Sequence, residues 1–358
     1  MSEIKERLMS WATGRTVPGT ATAAATDGSC RTVVLESAEH LEQLLASDVV
    51  GPGTTVLAPE GATADDGTAG AVVAYGGSAA ESGAEFSLGT DFYLQVQSYG
   101  ISGYMSVIGP TLVRIADTAD FEAYVADAEL ARQDGTFPEF LTSPVIQLAD
   151  LPALGTGHAG SGPALRLYVA ATGAVSTSPG GLPLGTAGDG LAALTARWQQ
   201  LNDDAGHPCA VSLGTAVPEE IRTAALAQRP WLGRYLAALD ALRNLAGRQV
   251  TGVRVSGFGG RSVPALADVT DPADATGTDV PLLLWTDEAA YVYAPETDRM
   301  LGLRREAVAL VEPLLVAGSV EAAAAYADRE ALEQVERAFA DAGVPLTART
   351  PALATAGR

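Results

Sequence analysis

The sequence predicts an α/β N-terminal region followed by a smaller C-terminal module of three antiparallel strands and three helices. Three observations carry that expectation. The chain has 358 residues, 47% apolar and only 18% charged, enough for two cores at ordinary domain sizes. Between residues 31 and 256, β-branched runs alternate with leucine patterns of helical period, the signature of an α/β arrangement. After a Pro-, Gly- and Asp-rich stretch at 257–278, three short strands joined by tight polar turns lead into three capped helices.

Residues 3–12 have the pattern of a short amphipathic helix, but 16–29 are Ala-, Thr- and Gly-rich. The segment 1–30 therefore reads as an appendage and linker, with ordered structure expected from Arg31. Residues 32–35 form a β-branched strand, Ser37 an N-cap, 38–46 a helix with leucines at 41, 44 and 45, and 54–58 a second strand. The Gly-, Ala-, Asp- and Ser-rich stretch 61–86 reads as a surface excursion whose strand-like part is 71–75. Strands follow at 92–96, 104–108 and 112–115, then a helix at 120–132. The pieces 32–45 and 111–124 repeat one order, an apolar strand and then a capped helix, as a βα duplication would. Strands at 145–148 and 164–170 flank a glycine-rich stretch, and 176–190 is a Pro/Gly/Ser loop. Helices at 190–203 and 218–245, the latter broken at Pro230, precede a strand at 249–256. The α/β region, 31–256, has room for two subdomains, and 257–278 reads as a linker.

Composition excludes much chemistry. With 22 basic and 43 acidic side chains the net charge is −21, unsuited to nucleic acid or an anionic membrane. Lys5 is the only lysine. It lies on the N-terminal segment, so a phosphate-binding Gly-Lys-Ser/Thr loop, a pyridoxal phosphate lysine and a kinase strand lysine are all missing. His40, His158, His207, Cys30 and Cys209 show no metal-ligand spacing, so no metal or other cofactor is expected. Two cysteines, a charged N-terminus and the lack of any run of 18 apolar residues point to a soluble protein of a reducing cytoplasm.

Three local patterns resemble sites and have simpler explanations. Gly155-Thr156-Gly157-His158-Ala159-Gly160 spells a dinucleotide-binding turn but lacks the strand before it and the helix after it, so it reads as a loop. His207-Pro208-Cys209 pairs an imidazole with a thiol at the start of an apolar run, 209–213, where a buried cysteine is the simpler reading. Acid pairs such as Asp203-Asp204 and Glu219-Glu220 fall at helix ends.

The segment 279–346 is more telling. Strands at 280–286, 290–293 and 299–303 are followed by helices at 304–316, ended by Gly318; 319–327, capped by Ser319; and 328–342, capped by Asp328 and ended by Gly343. The order is that of a winged-helix-type module, with 347–358 as a tail. Five arginines and 13 acids in 279–346 oppose DNA binding. An edge strand beside a helix suits the capture of an extended peptide as an added strand.

This segment resembles the PqqD-like recognition elements that bind leaders of ribosomally synthesised, post-translationally modified peptides. The resemblance rests on the element order, Leu301-Gly302-Leu303-Arg304-Arg305-Glu306-Ala307, Gly318-Ser319-Val320-Glu321 and Phe339-Ala340-Asp341-Ala342-Gly343-Val344. With Ile101-Ser102-Gly103-Tyr104-Met105, the whole chain is similar to the recognition proteins of daptide-type pathways. The resemblance implies a non-catalytic protein that binds a precursor's leader and presents it to separate tailoring enzymes. It places the leader on Arg299, Met300, Leu301, Gly302, Leu303 and Arg304, against Leu332, Glu333, Val335, Glu336 and Phe339. Pro313, inside the first helix, departs from the pattern and should kink it. Glu333 and Glu336 would favour basic leader residues, and a proline at Leu301 would remove a ladder donor. The alternative is an α/β enzyme whose site the sequence conceals.

Overall fold

The computed structural model describes residues 2–16, 28–62, 70–156, 162–206, 210–269, 271, 273–276 and 280–347. The chain divides into two compact units, residues 1–126 with 138–229 and residues 127–137 with 230–358.

The first unit is built on one ten-stranded mixed sheet. Its strands are β1 (Thr32–Leu35), β2 (Thr55–Pro59), β3 (Ala71–Gly77), β4 (Glu85–Leu88), β5 (Phe92–Ser98), β6 (Thr111–Arg114), β7 (Ile146–Leu148), β8 (Arg166–Val169), β9 (Ala174–Ser176) and β10 (Gly185–Thr186). Their spatial order is β10-β9-β8-β1-β2-β3-β4-β5-β6-β7. Two parallel blocks, β8-β1-β2-β3 and β5-β6-β7, are joined through antiparallel β4. The two pieces that look duplicated in sequence occupy corresponding places. Thr32 opens the middle strand of β8-β1-β2 and pairs with Arg166 and Thr55, while Thr111 opens the middle strand of β5-β6-β7 and pairs with Gln95 and Ile146.

The helices of this unit are α1 (Ser2–Thr13), α2 (Leu41–Leu45), α3 (Tyr99–Ser102), α4 (Thr118–Asp134), whose last turns are counted with the second unit, α5 (Leu191–Asp204) and α6 (Glu219–Gln228). Alternation along β1 sends Val33 and Leu35 into a core with Leu41 and Leu44 of α2 and Leu191 and Leu194 of α5. Val34 points the other way, into a core with Leu8 and Trp11 of α1. That second core draws on β2, β3, β4, β5, β6 and β8 as well. Trp11 is 1% exposed, and its Nε1 donates to Leu167 O at 2.8 Å. Arg166 donates to Trp11 O and to Asp150, and Asp150 also pairs with Arg114.

The structure overturns several expectations in this unit. Order begins with α1, not at Arg31; the Ala/Thr-rich stretch after it hid the link to the core. The 61–86 excursion supplies β3 and β4, whose Tyr75 and Phe86 are buried and stacked at 4.6 Å. The 176–190 loop contributes β10 and the end of β9. Residues 104–108 are irregular rather than a strand, and 210–213 form a turn of 3-10 helix. His158, His207 and Cys209 lie outside the described residues.

The second unit contains α7 (Leu232–Gly247), β11 (Arg254–Val255), α8 (Ala273–Thr276), β12 (Leu282–Trp285), β13 (Ala289–Ala294), β14 (Arg299–Arg304), α9 (Val308–Ala317), α10 (Val320–Ala323) and α11 (Arg329–Asp341). The three predicted strands and three predicted helices exist, capped as expected by Ser319, Asp328 and positive-φ Gly318 and Gly343. Pro313 sits within α9.

The winged-helix-type assignment nevertheless fails. The sheet is four-stranded, ordered β11-β12-β13-β14, and its first strand comes from residues ahead of the expected module. It is also covered on both faces: Leu283, Ala290 and Val292 pack toward α9 and α11, while Leu282, Leu284 and Tyr293 on the opposite face are buried too. The unalternated run Leu282-Leu283-Leu284-Trp285 has the composition of a strand buried on two sides. Nor do two α/β subdomains precede it; one ten-stranded sheet does.

Residues 257–278 carry the device that attaches β11. The buried Glu312 of α9 accepts from Ser256 Oγ at 2.7 Å, Ser262 N at 3.0 Å and Val263 N at 2.5 Å. Asp271 and Asp274 face Arg132, Arg234 and Arg261. In sequence these aspartates fall in a stretch that reads as a linker; in the fold they are counter-ions to the buried Arg234 and Arg261 side chains and to half-buried Arg132.

Candidate peptide-binding edge

β14 ends the four-stranded sheet, and its six residues span about 20 Å of edge. Which backbone groups that edge offers follows from the turns. The two-residue turn Asp287-Glu288 closes with Thr286 N donating to Ala289 O at 2.9 Å, so Ala289 faces β12. Pairing alternates along an antiparallel ladder, so Ala290, Val292 and Ala294 face β14. Their partners are Leu303, Leu301 and Arg299. The N–H and C=O groups of Met300 and Gly302 and the N–H of Arg304 therefore point away from the sheet, while the Arg304 carbonyl caps the 3-10 turn at 305–307.

Side chains alternate too. Leu301 and Leu303 lie half-buried on the face that packs against the helices, with Val335 of α11 at the same core. Leu332 and Phe339 are buried in that core. Arg299 Nη1 donates to Ala342 O at 2.7 Å and ties the start of β14 to the end of α11. Gly302 is exposed, its φ is ordinary, and a Cβ there would meet nothing within 4 Å. No crowding in the free chain requires this glycine.

The residues expected to meet a leader are thus gathered in one unit but do different things. The Glu336 carboxylate accepts from Leu346 N, Thr347 N and Thr347 Oγ1, so the chain's own segment after α11 uses it. Glu333 accepts from Arg329 Nε at 3.0 Å, and Glu333 and Glu321 together raise the Arg329 pKa. At the carboxyl end of β14, an open depression of about 680 Å³ is lined by Glu288, Arg304, Arg305, Glu306 and Ala307. Arg305 lies 6.0 Å from the Trp285 ring centre and donates to Ser262 Oγ.

No family model, curated protein or solved structure matches this chain. The site therefore rests on its own geometry.

Sequence reasoning did not separate Met300, Gly302 and Arg304 from their neighbours. The signal was present: a two-residue hairpin turn fixes which residues pair, and counting from Thr286 through Ala289 reaches β14. Nor did it find the depression, because Glu288 and Glu306 meet only when the β12–β13 turn lies beside the end of β14. Among the described residues no group of three His, Cys, Asp or Glu could hold a metal, and no helix is long and apolar enough to cross a membrane.

A second place has chemistry of another kind. Between β1 and β8 the strand order reverses, and ligands of open α/β sheets often bind at the carboxyl ends of such strands. There Glu36 Oε2 accepts from Tyr168 Oη at 2.5 Å and from Ala171 N, and His40 Nε2 lies 3.0 Å from Ala171 O. Burial and the Glu36 hydrogen bond raise the Tyr168 pKa, so the phenol keeps its proton as donor.

Proposed function

We propose that this chain is a non-catalytic recognition protein. Its β14 edge captures the leader of a ribosomally made precursor peptide as an added strand, and the chain presents that peptide to tailoring enzymes of a daptide-type pathway. The observation that carries the reading is the outward row of Met300, Gly302 and Arg304, bordered by half-buried Leu301, Leu303 and Val335. Three donors, from Met300, Gly302 and Arg304, and two acceptors, from Met300 and Gly302, give a peptide backbone its pairing, each bond worth about 0.5–1.5 kcal/mol net. Alternate peptide side chains then read the apolar border. The acidic composition supports a peptide partner over nucleic acid or a membrane, and the buried free Cys30 supports a reducing cytoplasm.

The test is a titration of a labelled synthetic leader of a daptide-type precursor into the full chain and its Gly302→Pro variant. The outward N–H of residue 302 is lost, and capture should fall by roughly tenfold or more. Undiminished affinity in a folded variant overturns strand addition.

The Glu36–Tyr168 crevice favours a second reading, an α/β enzyme. Under it, Glu36→Gln would abolish a turnover that Gly302→Pro leaves intact; under the first, Glu36→Gln leaves leader affinity unchanged.

A further inference from the structure

Apart from the β14 edge, the most anomalous surface of the molecule is the connection from β5 to β6. Tyr104 is 91% exposed and Ile108 83%, and Ile101, Met105, Val107 and Tyr93 of β5 are exposed beside them in sequence. Solvated loops are rich in Gly, Pro, Asn, Asp and Ser, each for a conformational reason that Tyr, Met and Ile do not share. Contiguous exposed apolar side chains mark interaction surfaces.

The base of this connection is held firmly. Asp120 accepts from Tyr99 N and Gly100 N at 3.3 and 2.8 Å, Ser102 Oγ donates to Ser98 O, and the Tyr99 ring meets those of Tyr124 and Phe140 edge-on at 5.9 and 5.5 Å. The apolar side chains are thus displayed from a fixed platform, which reduces the ordering cost of docking.

Charge identifies the occupant. Residues 92–113 contain no Asp, Glu, Lys or Arg, in a chain that is 18% charged and carries −21. A cationic partner would be drawn to the acidic surface elsewhere. Two copies of this chain repel one another except where neither contributes charge. A twofold contact places the same patch on both sides, neutral against neutral.

We infer that the β5–β6 connection is a self-docking surface through which two copies of this chain associate about a twofold axis. The contact closes over Tyr104 and Ile108, and added salt strengthens it by screening the repulsion of the acidic remainder.

Sedimentation equilibrium of the full chain, from micromolar to submillimolar concentration at low and high sodium chloride, tests this. The wild type should dimerise, more tightly in high salt. The double variant Tyr104→Ser/Ile108→Ser should bind itself roughly tenfold or more weakly, with an unchanged melting temperature because both side chains are solvated in the single chain. Ile108→Asp, which sets like charges face to face, should weaken it further. A wild type that stays monomeric throughout, a dimer that loosens as salt rises, or variants that dimerise as tightly as wild type would each overturn the assignment. So would a monomer that uses Tyr104 to bind a different protein.

Discussion

The ten-stranded sheet ends in strands of three and two residues, β7 and β10; the four-stranded sheet ends in the two-residue β11 on one side and the six-residue β14 on the other. Short edges are how proteins blunt the pairing capacity of unpaired backbone. β11 is blunted further by an isolated bridge from Val255 to Phe258. Three edges follow this rule and one does not. The exception is the strand with exposed Gly302 at its centre and a half-buried apolar border, so the contrast separates an edge that is protected from one kept open.

Breaking the sheets from within should give the largest effects. Trp11→Ala opens a cavity in the core that α1 shares with the ten-stranded sheet, and denaturant titration should show a loss of about 3–5 kcal/mol. Glu312→Ala leaves Ser262 N, Val263 N and Ser256 Oγ without their buried carboxylate. About 3 kcal/mol should be lost, with amide exchange accelerated at β11 before β14.

Proline scanning sharpens the comparison within β14. At Leu301 it removes an N–H bonded toward Val292 and should lower stability by about 1–3 kcal/mol. At Met300 it removes an outward N–H and should leave the melting temperature nearly unchanged while leader capture is lost. Loss of capture with equal destabilisation at both positions would contradict this register. Leu301, the diagnostic site that the sequence suggests, is misplaced by one residue, which in a strand is the difference between the sheet and the open edge.

Alkaline pH should weaken the first unit's core. Burial pushes the Cys30 thiol up from 9.0 to about 12 and the Tyr75 phenol up from 10.0 to about 12. Both are raised, so the folded state holds protons that the unfolded chain releases. The stability is whole below about pH 9 and drains away as pH rises toward about 12. Denaturation midpoints at pH 8 and pH 10.5 should differ in that sense, and Cys30 should resist thiol reagents at both until the chain unfolds. The smallest effect belongs to Glu333→Gln. The pair it makes with Arg329 is exposed and screened by solvent, so leader affinity and its salt dependence should shift only slightly.

Legibility in the sequence followed the range of the determining interaction. The strands and caps of residues 282–343 were readable because a two-residue turn, Ser319, Asp328 and Gly318 act on neighbours a few positions away. The βα order of 32–45 and 111–124 was readable for the same reason. β4, β9 and β10 were not: each is short, set among glycines, and made a strand only by the partner that reaches it. Asp271 and Asp274 fall in a stretch that reads as a linker because nothing local distinguishes a solvated aspartate from one facing Arg132, Arg234 and Arg261. The candidate edge was found as a strand, while its open row required the hydrogen-bond parity of the whole hairpin.

The burial of α1 also bears on how this chain comes into being. Trp11 leaves the ribosome well before its partner, because the carbonyl it bonds lies 156 positions later. Until β8 emerges, the apolar face of an amphipathic helix waits without its sheet, exposed to proteases and to other nascent chains. Contacts of such long sequence separation slow folding. A chaperone that shelters residues 2–13 during synthesis, or a fusion partner that blocks them, should therefore decide yield far more than any change near the carboxyl terminus.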